Sequence, residues 1–301
     1  MKNALCFDMG GSKIVCGVVR EDGAVLWKLH EKWAPKSAEE VLGTMHRMGD
    51  AAIAALPGEE IGIIGANIPG IADPVTGTWL EASFSGLSNI PVAADLSAYF
   101  GLPCWADNDG QTCALAEKVF GAAKDCDHFL YLTVSNGVGG AVYSNGLITG
   151  CGNHAGEFGH CVVVPGGRQC NCGQKGCLER YAAGPGIQRT WEEMTGETKS
   201  AEELAALARS GNAEAQKVWE LEGQYLGRII AVAANLMNPE KVIIGGGISL
   251  AFGLFYPSLK ATVDAQCYAD PNHPLELLAT PLAYDGGLLA AAALAFTEAR
   301  K

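Results

Sequence analysis

Two stretches of this chain, about half its length apart, carry one pattern: a short apolar run, a glycine-rich turn and a second apolar run. Residues 3–10 lead into Asp8-Met9-Gly10-Gly11-Ser12-Lys13 and on to residues 14–19; residues 129–134 lead into Ser135-Asn136-Gly137-Val138-Gly139-Gly140 and on to residues 138–143. Each reads as strand, tight turn, strand. Its recurrence predicts a duplicated α/β domain with a ligand cleft between the copies.

The segments between fit that scheme. Apolar positions recur at helical spacing over 38–56, a buried strand is expected over 61–68, and helices over 92–100 and 110–120, the latter beginning after Asn108 and Asp109. Helical pattern returns over 184–210 and 213–237 and stops at Asn238-Pro239. The run Lys241-Val242-Ile243-Ile244 then reads as a buried strand ending in Gly245-Gly246-Gly247. From Gly286 to Lys301 the chain reads as an alanine-rich helix whose basic end complements its dipole.

With 301 residues, 49% of them hydrophobic and 18% charged, the chain has material for large cores. A net charge of −12 argues against a nucleic-acid surface, which needs a basic face. An acidic residue at position 8 comes too early for a signal peptide, and no apolar run approaches the ~20 residues that span a bilayer. A cytoplasmic protein with no membrane partner is therefore expected. The odd total of 11 cysteines disfavours a disulfide framework and suits thiols in a reducing compartment.

Three of those cysteines are not scattered. Cys170, Cys172 and Cys177 lie within eight residues among Gly167, Gly173 and Gly176, which let a short loop aim several thiolates at one point. His160, ten residues upstream, supplies a fourth ligand, and three thiolates with one imidazole complete a tetrahedral set for Zn²⁺. A closed set leaves no position for a catalytic water, so this zinc would be structural. The alternatives are a disulfide with a free thiol, or three small buried residues. Cys161 is a rival ligand, though in an extended stretch it would point away from its neighbour His160.

The glycine turns suit phosphate. Gly10 and Gly11 expose backbone amides, Ser12 adds a hydroxyl, and Asp8 can hold Mg²⁺ directly or through water. Ser135 to Gly140 has the same reading, and a hairpin without a ligand is the plain alternative for both. Gly245-Gly246-Gly247, at the end of a buried strand, is where an open α/β sheet admits a flat base. Asp109 reads two ways: a helix N-cap, or the base that takes the proton of a sugar hydroxyl attacking the γ-phosphate.

Together these pieces resemble the ROK family of bacterial sugar kinases and sugar-responsive repressors. The resemblance rests on Asp8-Met9-Gly10-Gly11-Ser12-Lys13, Ile68-Pro69-Gly70, Asn108-Asp109, Ala155-Gly156-Glu157-Phe158-Gly159-His160, Cys170-Asn171-Cys172-Gly173-Gln174-Lys175-Gly176-Cys177-Leu178-Glu179 and Gly245-Gly246-Gly247-Ile248-Ser249. It implies a two-lobed actin-like ATPase (ribonuclease H-like) α/β fold with a small structural zinc loop over 160–179. The lobes expected are 1–107 with 287–301, and 108–286. It further implies an ATP-dependent kinase acting on the C6 hydroxyl of a hexose or N-acylhexosamine, with Mg²⁺, structural Zn²⁺ and a homodimeric or homotetrameric assembly.

Residue by residue, the resemblance makes Asp109 the catalytic base and Gly70, Ser83, Asn108, Asp109, Glu157, His160 and Glu179 the sugar-binding set. Asp8, Gly10, Gly11, Ser12, Lys13, Ser135, Asn136, Gly137, Gly139, Gly245, Gly246 and Gly247 would bind ATP. His160, Cys170, Cys172 and Cys177 would hold zinc, His160 using its second nitrogen for a sugar hydroxyl. Three positions depart from the usual pattern: Ser12 and Asn136 stand where Thr is usual, and Ser83 falls about where many members carry a sugar-binding Asn. Family repressors carry a DNA-binding segment ahead of the first glycine turn, and only seven residues precede Asp8, so a kinase is expected over a regulator.

Overall fold

In a computed structural model, described for residues 3–82, 86–268 and 274–301, the chain divides into two compact units. One comprises residues 1–125, 147–155 and 281–301, the other residues 126–146 and 156–280. Ser83 lies outside the described residues.

The first unit is built on a five-stranded sheet in the order Val25–Lys32, Lys13–Arg20, Asn3–Met9, Ile61–Ile68, Cys104–Asn108. Its first three strands are antiparallel neighbours and its last three run parallel. A smaller three-stranded sheet, Ile71–Asp73, Thr78–Ala82 and Leu87–Ile90, follows the fourth strand. In the second unit the strands run Val138–Ser144, His128–Val134, Lys241–Gly245, Glu276–Ala279, one antiparallel pair and then two parallel pairs. This repeats the order and the senses of the last four strands of the first sheet, as the paired glycine hairpins predict.

Local chemistry sets the helix ends. Ser37 caps Ala38–Ala55 by accepting from the Glu40 amide, and Asn212 caps Ala213–Met237 by accepting from Ala215. Asn238, at φ +46°, closes that helix ahead of Pro239. The helical stretch expected over 184–210 is two helices, Gly184–Thr195 and Ala201–Arg209. Gly196 (φ +75°) ends the first, and a Ser200/Glu203 capping box starts the second.

The C-terminal helix, Gly286–Glu298, is where composition decides packing. Ala290 to Ala293 are fully buried, and the helix lies against Asn3–Met9, Ile61–Ile68, Cys104–Asn108 and the helix Asp109–Val119. Small residues on both sides permit the approach: a Cβ at Gly65 would stand 1.9 Å from the Ala291 carbonyl oxygen. The basic end expected to serve the dipole does not belong to the helix's last turn. Arg300 instead pairs with Glu21 at 2.9 Å, and Lys301 with Glu298 at 2.7 Å, because the helix stops at Glu298. All eleven cysteines are free, and none of the described helices is long and apolar enough to cross a membrane.

Gly65→Ala should therefore lower the unfolding free energy by roughly 2–3 kcal/mol, since a backbone carbonyl cannot yield as a side-chain tip would. Urea denaturation of the purified variant reads this directly, and an unchanged midpoint would contradict the packing described.

Candidate active site

The strand register of the first unit lays three polar groups in a row across the three parallel strands of its sheet: Asp8 is opposite Asn67, and Asn67 opposite Asp107. Each has a partner, as buried polar groups require. Asn67 Nδ2 donates to Asp8 Oδ1 at 2.8 Å, and the Thr112 hydroxyl lies 2.7 Å from Asn67 Oδ1. Thr112 also lies 3.0 Å from the Asn108 carbonyl, so this chain runs from the first glycine turn to the start of the helix Asp109–Val119. Burial raises the Asp8 carboxyl above its ordinary value, opposed by the Asn67 hydrogen bond and by the Lys13 charge. A Cβ at Gly287 would lie 2.1 Å from Asp8 Oδ2, so the first turn of the C-terminal helix presses on this carboxylate.

Gly11, Ser12 and Lys13 are exposed at the tip of the first hairpin, which closes through Gly10 N–H donating to the Lys13 carbonyl at 2.9 Å. Trp33 braces it from outside: its indole donates to the Gly10 carbonyl at 2.7 Å and its amide to the Ser12 carbonyl at 3.1 Å. Asn108 caps the helix Asp109–Val119 by accepting from Gly110, and its Nδ2 donates to the Gly70 carbonyl at 2.5 Å. The cap is thus Asn108, and Asp109 is the first helical residue, half-buried at the carboxyl end of a parallel strand. Open α/β sheets place ligands at that end.

In the second unit, glycines bring the Gly156–His160 motif onto the second hairpin. A Cβ at Gly159 would lie 2.0 Å from the Val138 carbonyl oxygen, and one at Gly156, which sits at φ +94°, 2.5 Å from that of Gly140. Glu179 Oε2 accepts from the Val138 amide at 3.2 Å, and Gly184 N–H donates to the Ser135 carbonyl at 2.7 Å. The third glycine turn joins them: a Cβ at Gly246 would lie 2.3 Å from the Val134 carbonyl oxygen. Ser135 to Gly139, Gly245 to Gly247, Glu157, His160 and Glu179 therefore form one neighbourhood.

His160 sits in the short turn Phe158–His160. Its Nδ1 is 3.8 Å from Cys170 Sγ and its Nε2 is 4.0 Å from Glu157 Oε2, so the two ring nitrogens face different groups. Ligand atoms of His160, Cys170, Cys172 and Cys177 all lie within 4.8 Å of one another. Cys172 and Cys177 sulfurs are 3.6 Å apart. A tetrahedron with metal–sulfur bonds of about 2.3 Å has edges of about 3.8 Å, so the donors fit. Burial and the neighbouring thiols push Cys177 up to about 12, while the Gln174 backbone draws Cys172 down to about 7. Three thiolates at this spacing need a cation to ionise together. Cys161 is exposed and outside the cluster, although the stretch is not extended as the alternation argument requires, Phe158–His160 being a short turn.

Arg168 secures the loop. Its side chain, 7% exposed, donates to the carbonyls of Arg180 (2.8 Å) and Gly186 (3.0 Å), to the Thr190 hydroxyl (3.0 Å) and to Glu193 (2.7 Å), and lies over the Tyr181 ring. It thereby ties the base of the cysteine loop to the segment that carries Glu179. Asn67, Thr112, Gly287 and Arg168 were not among the sequence candidates. For Asn67 the signal was present, a lone amide within the apolar strand Ile61–Ile68.

The chain matches the ROK family over residues 4–298 and belongs to it. It is 32% identical over 303 residues to a glucokinase of Thermotoga maritima, with 95% of each chain covered. Over 217 residues it is 31% identical to the DNA-binding transcriptional dual regulator NagC of Escherichia coli, covering 69% of this chain and 53% of NagC. Among solved structures, a ROK family glucokinase from Streptomyces griseus in complex with glucose and AMPPNP superposes with a TM-score of 0.84 at 27% identity, covering 98% of this chain and 99% of that one. The fold is that of the actin-like ATPases, in which a ribonuclease H-like α/β domain is duplicated.

Asp107 gives this geometry a measurable consequence. Burial pushes its carboxyl up to about 6, the charges of Glu298 and Asp73 adding and hydrogen bonds from the Asn108 amide and Asn153 opposing. The folded-state value lies above the ordinary one, so the linked stability is complete below about pH 4 and is lost as pH rises through about 6. Asp107→Asn should be more stable than wild type by about 1–3 kcal/mol at pH 8 and no more stable at pH 4. Urea midpoints at both pH values check the sign.

Proposed function

We propose that this chain is an ATP-dependent sugar kinase that transfers the γ-phosphoryl group of ATP to the C6 hydroxyl of a hexose or N-acylhexosamine. The observation that carries the reading is the placement of Asp109 at a strand's carboxyl end, with helix capping taken by Asn108 and a buried hydrogen-bond chain leading to the Asp8 turn. In the step proposed, the sugar oxygen attacks the γ-phosphorus, its proton passes to the Asp109 carboxylate, and the bond to the β–γ bridging oxygen breaks, leaving ADP. Gly10 to Lys13 and Ser135 to Gly139 offer amide donors to the phosphates, and Gly245 to Gly247 a surface for the nucleoside. Mg²⁺ carried by ATP would neutralise phosphate charge, and Asp8 is the residue suited to hold it.

Gly70, Asn108, Glu157, His160 and Glu179 are the proposed sugar ligands. We assign zinc to the Cys170, Cys172, Cys177 and His160 set, as a structural ion that fixes the His160 ring and leaves Nε2 for a sugar hydroxyl. The glucokinase likenesses favour glucose among acceptors. The NagC likeness supports a second reading, a protein that binds an amino sugar without turnover.

A coupled assay with Mg-ATP against glucose, N-acetylmannosamine, N-acetylglucosamine, fructose and allose separates these readings. Turnover of one or more is expected, and Asp109→Ala should lower kcat by about 10²-fold or more while sugar binding persists. Silence toward all five would remove the kinase reading. Removing the metal with a chelator should abolish sugar binding as well as lower the melting temperature, because His160 serves both sites; metal-free protein that binds sugar normally would refute that coupling.

A further inference from the structure

Glu179 has a second relationship that its proposed sugar-binding role leaves unused. Its carboxylate lies on the second glycine turn: Oε2 accepts from the Val138 amide at 3.2 Å, and a Cβ at Gly137 would stand 2.9 Å from the same oxygen. The turn is anchored to the same segment a second time, by Gly184 N–H on the Ser135 carbonyl. Val138 is a backbone donor of the turn proposed to bind phosphate, and in this state a negative side chain takes that donor. A phosphate oxygen and the Glu179 carboxylate cannot share one N–H, and at this distance they repel.

We propose that Glu179 gates the second phosphate turn, holding the Val138 amide until a sugar hydroxyl engages the carboxylate and releases that amide to the nucleotide. The inference rests on the sugar-kinase reading and adds an order to it. A sugar hydroxyl that draws the Glu179 carboxylate toward itself pulls Oε2 off the Val138 amide, so sugar occupancy and nucleotide affinity rise together. By linkage, the nucleotide strengthens sugar binding by the same factor. The gate also guards against water as acceptor, since without sugar the turn repels the phosphates it would have to hold. The contacts around the turn suit such a switch: Gly156 and Gly159 fix the strand behind it, while Glu179 is half-buried and bears on it with one oxygen.

The test is the affinity of Mg-AMPPNP measured by calorimetry with no sugar present, in wild type, Glu179→Gln and Glu179→Ala. Both variants should bind the analogue about tenfold more tightly than wild type, a coupling within the usual range, and should release more ADP from ATP in the absence of sugar. A residue serving only as a sugar ligand would leave sugar-free nucleotide affinity unchanged, and one serving only to hold the loop would weaken it. Either result overturns the gate, while turnover by wild type in the five-sugar panel would leave the kinase reading standing. Wild type that neither binds Mg-AMPPNP nor phosphorylates any of the five sugars removes both. Should the variants lose metal or fold, the wild-type Val138 amide resonance decides. It should shift when the sugar that turns over is added without nucleotide, and an unmoved resonance refutes the gate.

Discussion

The Glu157, His160 and cysteine-loop groups of the second unit depend on one close approach, that of the Gly156–His160 motif to the strand Val138–Ser144. A side chain at Gly159 would occupy the space of the Val138 carbonyl, and Gly156 adopts φ +94°, where other residues are strained. Because the approach is made, Glu157 and His160 reach the second glycine turn. His160 then hands the chain on to Cys170, and the bridges Val162 to Cys177 and Gln169 to Lys175 fold the loop back on itself. Glu179 follows Cys177 by two residues and so arrives at the same turn from the other direction. A metal bound at the four donors would lock that circuit, which is why its proposed role is positional and not chemical.

The first unit solves a different problem, that of carrying polar groups through a buried sheet. Asp8, Asn67 and Asp107 occupy one row across three strands, and leaving any of them without a partner would cost about 1–3 kcal/mol. Thr112 and Asn153 supply partners from a helix and a loop, so the row is satisfied only when those elements are in place. The alanine-rich helix behind it comes close through Gly65 and Gly287 and bears on the row through the charge of Glu298, which raises Asp107. Rigid placement of Asp109 follows from these contacts, since its helix is pinned through Thr112 to the sheet.

The hairpins, the cysteine set and the helix after Asn108 were legible, the helix starting one residue earlier than expected, because each is a local pattern whose chemistry lies within a few residues of sequence. The helix Gly286–Glu298 was legible in type and less so in its end, because Arg300 and Lys301 find partners in Glu21 and Glu298 beyond the last turn. The break at Gly196 was hidden by helical periodicity on both sides of it. Thr112, Gly287 and Arg168 could not be found by pattern, since their importance lies in groups 45 residues away for Thr112, in Asp8 for Gly287 and in carbonyls of a neighbouring helix for Arg168. Contacts of that kind are set by packing, and a single sequence does not carry them locally.

The duplicated hairpins differ most where their electrostatics matter. Counted back from the last strand pair before the turn, the place of Asp8 in the first hairpin is taken by Thr133 in the second. The first turn therefore carries its own carboxylate, fixed within a strand, restrained by Asn67 and pressed by Gly287. The second carries a hydroxyl at that place and borrows a carboxylate from Glu179, on the segment that leaves the cysteine loop. A carboxylate built into a strand can serve a bound cation but cannot withdraw. One delivered by the first residue of the short helix Glu179–Ala182 can, because it is held by a single backbone donor and not by a sheet. Divergence between the two copies thus leaves a carboxylate fixed within a strand at the first turn and one held by a single backbone donor at the second.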